Sequence, residues 1–150
     1  MYHRLLIPLD GSELAEQALA QVEHVAATGA QITLLQIVQP PLPVIAAEMA
    51  VPLPAVSSEE LRQEAETYLQ TVASRLRERV GNVHIAVVEG DAVAETIVQY
   101  ARDHGHDLIL MSTHGRGGLS RLVFGSVAEA VVRHAPCPVL IVRPQSKGER

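Results

Sequence analysis

One hundred and fifty residues, 47% of them hydrophobic but only 3% aromatic, suit a single domain around an aliphatic core of Val, Leu, Ile and Ala, and argue against a disordered chain. A net charge of −5 with no long basic run disfavours nucleic acid as the main partner. The lone Cys137, set between two prolines ahead of an apolar run, excludes an internal disulfide framework and reads as a small packing residue.

Leu5-Leu6-Ile7-Pro8-Leu9 is too short for a helix and reads as a buried strand that Pro8 brings to an end. Asp10, Gly11 and Ser12 are turn and N-cap residues, and Leu14, Ala18, Val22 and Val25 follow at helical spacing, with Gly29 as the expected stop. Ile32–Val38 is a second buried-type strand, so the first crossover is strand, helix, parallel strand. Residues 39–57 carry Pro40, Pro41, Pro43, Pro52 and Pro54 and a single charge, Glu48, which predicts a cover over a sheet edge or a partner subunit rather than a lid. Ser57 and Glu60 form a capping box ahead of a long amphipathic helix bearing Leu61, Ala65, Leu69, Val72 and Leu76.

Val83, Ile85 and Val87 alternate as in an edge strand, and Gly90-Asp91 turns into a helix with Val93, Ile97 and Ala101 that Gly105 closes. Leu108–Met111 is the fourth strand and Val139–Val142, after Pro136 and Pro138, the fifth. The alternation predicts one open, parallel α/β sheet with helices on both faces, residues 145–150 forming a flexible tail. The N-terminus lacks a signal-peptide pattern and no apolar run approaches membrane-helix length, so a cytoplasmic protein without membrane contact is expected.

Between the fourth strand and its helix, Ser112–Ser126 holds Gly115, Gly117, Gly118 and Gly125 with Arg116 and Arg121, and no carboxylate. Glycines let backbone N–H groups approach a ligand, and a helix N-terminus favours anions, so this stretch reads as a phosphate cradle. Ser126 with Glu129 three residues on has capping-box spacing, which makes Ser126 the expected N-cap. Arg116 and Arg121 steer phosphate or are merely solvated. His114 reads as a loop-fixing hydrogen-bond partner, since no histidine pattern supports a protein-built metal site.

Ser112-Thr113-His114-Gly115, nine residues, then Gly125-Ser126 resembles the nucleotide-binding signature of the universal stress protein family, departing from it at Ser112, where the family has glycine. The resemblance runs from the Leu5–Ser12 opening to the Pro136–Val142 ending. It implies strand order 3-2-1-4-5 and an ATP site (or ADP or AMP, with Mg²⁺ as an option). Pro8, Leu9 and Asp10 then border adenine and ribose, and Ile37 offers its backbone to the adenine edge. Met111, Ser112 and Gly115 follow ribose and phosphate, while Gly125, Ser126 and Val127 meet the terminal phosphates. A homodimer through residues 138–143 is implied as well. If the first signature position requires positive φ, Ser112 costs roughly 1 kcal/mol or more; if it requires only small size, serine fits and can add a hydrogen bond.

The expected function is nucleotide-dependent regulation through an unknown protein partner. The alternatives are a slow ATPase or self-phosphorylating protein, and an interaction module without nucleotide. Efficient turnover is not expected, because the cradle lacks both the G-x-x-x-x-G-K-[ST] pattern and a base. Dinucleotide binding through G-x-G-x-x-G is absent after the first strand.

Overall fold

The computed structural model describes residues 1–41, 56–113 and 124–145. Five strands, β1 (Tyr2–Pro8), β2 (Ala26–Val38), β3 (Val83–Glu89), β4 (Leu108–Ser112) and β5 (Val139–Val142), form one sheet in the order β3-β2-β1-β4-β5. Every pairing is parallel. Leu5, Leu6, Ile7, Leu108, Ile109 and Leu110 are fully or almost fully buried, which is why β1 and β4 read as unbroken apolar runs rather than alternating ones.

Alternate residues feed two cores. Leu5, Ile7, Leu34, Leu108 and Leu110 pack with Ala15, Ala18 and Val22 and with Leu69, Val72 and Leu76 of α3 (Ser58–Val80). Leu6, Leu35, Ile109 and Met111 face the other way, onto Ile97, Val98 and Ala101 of α4 (Val93–Asp103) and Ala128 and Val131 of α5 (Ser126–His134). Ser57 caps α3 as expected: its Oγ accepts from the Glu60 N–H at 3.1 Å, and Glu60 Oε2 accepts from the Ser57 N–H at 3.0 Å. Cys137 is half-buried beside the α4–α5 core, and burial pushes its thiol pKa up, in keeping with a packing role.

The first connection departs from the expected single helix. It is built of α1 (Glu13–Glu16), a 3₁₀ segment (Gln17–Gln21) and α2 (Val22–Val25), and the backbone is already extended at Ala26. Gly29 therefore stops no helix. Its φ of 77° lies within β2, where the pairing with β1 slips from Tyr2↔Ala26 to Arg4↔Gln31. Positive φ is what a bulge there demands, and glycine supplies it without a Cβ clash. The expected Pro-rich cover falls mostly on residues 42–55, outside the described residues, as does the tail beyond Gln145.

At the amino end of the sheet, Asp107 joins β1 to the entry of β4. Its Oδ2 accepts from the His3 N–H and its Oδ1 from the Arg4 N–H, both at 2.8 Å, while its own N–H donates to the Arg4 carbonyl at 2.9 Å. Beside it His106 is 8% exposed, with Nε2 3.3 Å from Thr33 Oγ1 and the ring stacked on Tyr100. Burial, then the nearby Arg4 and His104, lower the His106 pKa, so the folded protein holds this ring neutral.

Two outcomes test this account. Asp107→Ala removes the acceptor of two exposed N–H groups and should cost about 0.5–1.5 kcal/mol in urea unfolding, with Asp107→Asn losing less; a loss under about 0.5 kcal/mol would show that water replaces the carboxylate without penalty. Because the native pKa of His106 lies below that of the unfolded chain, its stabilising contribution is complete above about pH 6.5 and is lost as pH falls toward the lowered native pKa. Melting temperatures read from about pH 7.5 down to 5.5 should fall, and His106→Gln should flatten part of that slope.

Candidate functional site

Beyond Leu6 the sheet divides. β1 stays with β2 through Pro8↔Leu35 and a bond from the Leu9 N–H to the Leu35 carbonyl at 2.8 Å. β4 stays with β5 through Ser112↔Val142 and a bond from the Thr113 N–H to the Val142 carbonyl at 3.0 Å. Between them the pairing consists of Leu5↔Leu108 and Leu6↔Ile109 and goes no further. The cause is Pro8. Successive residues of a parallel strand turn their N–H groups to opposite sides, and Leu9 turns its own to β2, so position 8 faces β4. Proline has no N–H to give there, and the next rung cannot form. Hydrogen-bonded pairing of the two central strands thus stops short of their carboxyl ends, where the chain's winding direction reverses and open α/β sheets take ligands in a crevice.

The two walls of this crevice differ. On the β1 side, Asp10 Oδ1 accepts from the Ser12 N–H at 3.0 Å and from the Ser12 hydroxyl at 2.6 Å, and Ser12 Oγ accepts from the Ala15 N–H at 3.1 Å. Ser12 is thus the helix cap and Asp10 the brace that orients it. Tyr68 reaches from α3 to donate its hydroxyl to Glu16 Oε1 at 3.0 Å. Burial first, then Glu16 and Asp10, push its pKa up, keeping it a donor.

On the β4 side, the Gly125 N–H donates to the Thr113 carbonyl at 2.9 Å, closing the 112–126 stretch at its base. A Cβ at Gly125 would stand 2.9 Å from that same carbonyl, and φ there is −57°, so glycine is required by space and not by backbone conformation. The expected capping box at Ser126 does not form. Gly125 is the N-cap and has no side chain to offer, its carbonyl accepts from the Glu129 N–H at 3.0 Å, and Glu129 instead pairs with Arg133 at 2.9 Å. The close approach to Thr113 pulls the helix start back by one residue. Ser126 is left exposed at the first helical position, and the N-cap residue of α5, a glycine, makes no side-chain bond to its first turn. Such a terminus attracts anions.

Of the expected site residues that are described, Pro8 ends β1 with Leu9 and Asp10 just beyond it, Ile37 lies near the end of β2, Met111 and Ser112 end β4, and Gly125, Ser126 and Val127 lie at the start of α5. His114, Gly115, Arg116, Gly118 and Arg121 lie outside the described residues. Ser112 is the last residue of β4, in extended backbone, so its position makes no demand for positive φ. Thr113, whose main chain ties α5 to β5, was not foreseen, because a backbone role leaves no mark on residue type. Among the described residues no group of three or more His, Cys, Asp or Glu could hold a metal. None of the described helices is long and apolar enough to cross a membrane.

Comparison with known proteins agrees with this fold. A universal stress protein of Methanocaldococcus jannaschii is 34% identical over 153 residues, covering 98% of this chain and 85% of that protein. The structure of a universal stress protein from Lactobacillus plantarum superposes with a TM-score of 0.74 at 27% identity, covering 95% of this chain and 98% of that one. More distant structures of the same fold hold adenine nucleotides. An Arabidopsis thaliana protein has AMP bound (18% identity, TM-score 0.65, 99% and 96% covered), and one from Archaeoglobus fulgidus is in complex with dAMP (18%, 0.61, 93% and 97%). A further universal stress protein is in complex with cAMP (21%, 0.70, 96% and 99%). The sequence profile of the Universal stress protein family matches residues 1–143, and this chain belongs to that family.

Proposed function

We propose that this chain is a cytoplasmic, ATP-binding regulatory protein whose occupancy is read by a protein partner. The observation that carries the reading is the end of the central ladder: the pairing of β1 with β4 stops at Pro8, and the start of α5, with a glycine as its N-cap, is tied to the end of β4 through Gly125 and Thr113. Pro8, Leu9 and Asp10 border adenine and ribose, the Ile37 backbone meets the base, and Met111, Ser112 and Gly115 follow the sugar and first phosphate. Gly125, Ser126 and Val127 receive the terminal phosphates, with His114, Arg116, Gly118 and Arg121 contributed by the glycine-rich stretch. Mg²⁺ accompanies the nucleotide as its counterion. The stretch 112–126 carries no carboxylate to serve as a base, which favours binding over turnover. Calorimetry with ATP tests this. Binding is expected, weaker for ADP, and Gly125→Val should abolish it by pushing the start of α5 off the Thr113 carbonyl. Absence of heat or thermal shift at millimolar ATP would leave an interaction module in its place.

We also propose a homodimer through residues 138–143. β5 is an edge strand of four apolar residues, all half-exposed, and such an edge invites a second strand. Gln17 holds the chain beyond it, donating to the Gln145 carbonyl at 3.3 Å and accepting from the Gln145 N–H at 2.8 Å. The carbonyls of Pro138 and Val142 accept from β4, so by alternation Val139 and Ile141 turn their backbone groups to the free edge. Ile141→Pro removes one outward donor without touching the β4 ladder, and should give a folded monomer by light scattering. A monomer mass for the unmodified protein at tens of micromolar would refute the dimer.

A further inference from the structure

The central strands stop pairing after Leu6, yet the chain rejoins their two sides farther out. From β1 it runs through Asp10 and the Ser12 cap into α1, and Gln17 follows directly. α1 and the 3₁₀ segment pack across β4 and β5, where Ala15 and Ala18 share a core with Leu140 and Val142. There the Gln17 side chain meets the chain that β5 has released. Its Nε2 donates to the Gln145 carbonyl at 3.3 Å, and its Oε1 accepts from the Gln145 N–H at 2.8 Å. One side-chain amide thus serves both main-chain groups of a residue 128 positions away.

The β4 side holds the same stretch from its other end. The Val142 carbonyl accepts from the Thr113 N–H, which ends the β4–β5 ladder. The next bond would run from residue 144 to the Thr113 carbonyl, but Pro144 has no N–H, and the Gly125 N–H takes that carbonyl instead. Residues 142–145 therefore leave the sheet anchored to β4 at one end and to Gln17 at the other. A closed circuit results, from the Leu6↔Ile109 rung through β1, α1, Gln17, Gln145, β5 and β4, and it spans the unpaired ends of the central strands. Its weakest link is the Gln17–Gln145 joint, because both bonds are exposed and water competes for them.

We infer that Gln17 is the positioning residue through which occupancy of the site is passed to the β5 edge. A nucleotide that holds β1 and β4 in fixed relation also holds this joint closed, and so orders residues 139–145. The inference rests on the adenine-nucleotide reading above and gives it a route to the strand that is open for pairing. The coupling is reciprocal: a chain without the joint binds ATP more weakly by the factor by which ATP closes it.

Amide exchange over residues 139–145, with and without saturating ATP, tests this in the unmodified protein, Gln17→Met and Gln17→Glu, each checked for folding by its melting curve and for ATP affinity by calorimetry. ATP should slow exchange there about fivefold in the unmodified protein. Gln17→Met should still bind ATP, about fivefold more weakly, with no slowing over 139–145. Gln17→Glu, which keeps the acceptor for the Gln145 N–H, should retain part of the response. Equal slowing in Gln17→Met, or none in the unmodified protein with ATP bound, overturns the coupling and leaves the nucleotide reading standing. Failure of the unmodified protein to bind ATP overturns both.

Discussion

Parallel strands exchange hydrogen bonds alternately with the neighbour on either side, and β1, at the centre of the sheet, must serve two neighbours at once. It does so as far as Leu6. At Pro8 the donor owed to β4 is missing, while the donor owed to β2 is supplied by Leu9 at 2.8 Å. The same proline that would destabilise the middle of a strand therefore acts here as a divider, and it acts on one side only. The end of the β1–β4 ladder after Leu6, just before Asp10, follows from that one absent N–H.

The opposite end of the sheet is built on the contrary plan. There Asp107 fastens β1 to β4 through two N–H groups and its own, and His106 fills the space beneath with a neutral ring against Thr33 and Tyr100. Closed at one end and parted at the other, the central pair works as a hinge-free wedge. The buried rungs Leu5↔Leu108 and Leu6↔Ile109 keep the parting from running further down. The helices respect the division. The α1 wall is organised by side-chain bonds among Asp10, Ser12, Tyr68 and Glu16, the α5 wall by main-chain bonds of Thr113 and Gly125.

Elements whose signal is local were readable from residue types. The apolar runs of β4 and β5, the Ser57–Glu60 box and the turn at Gly105 needed only neighbours a few residues away. Ser126 was misread as a cap because the capping box is a local pattern, whereas the contact at the helix start, from the Gly125 N–H to the Thr113 carbonyl, comes from a residue thirteen positions before Ser126. Gly29 was misread for a related reason: positive φ serves a helix end and a bulge equally, and only the register with β1 tells them apart. Strand order is a property of the whole sheet, so it came from family resemblance and not from periodicity. Asp10 reads from its sequence as a turn or cap residue after β1, but the division of labour with Ser12 lies in distances that spacing does not encode.

The order β3-β2-β1-β4-β5 also has a consequence for how the chain assembles. Strands β1, β2 and β3 with α3 are contiguous within residues 1–89 and can pair as they leave the ribosome, whereas β1 waits for β4, whose partner residues lie 103 positions on (Leu5↔Leu108). The crevice is thus the seam between an early-forming half and a late-docking one. Only two rungs and the Asp107 staple join the halves along the strands, so whatever fills the seam bears directly on the last step of folding. A ligand held there would slow the re-opening of the second half, and resistance to proteolysis would rise with occupancy.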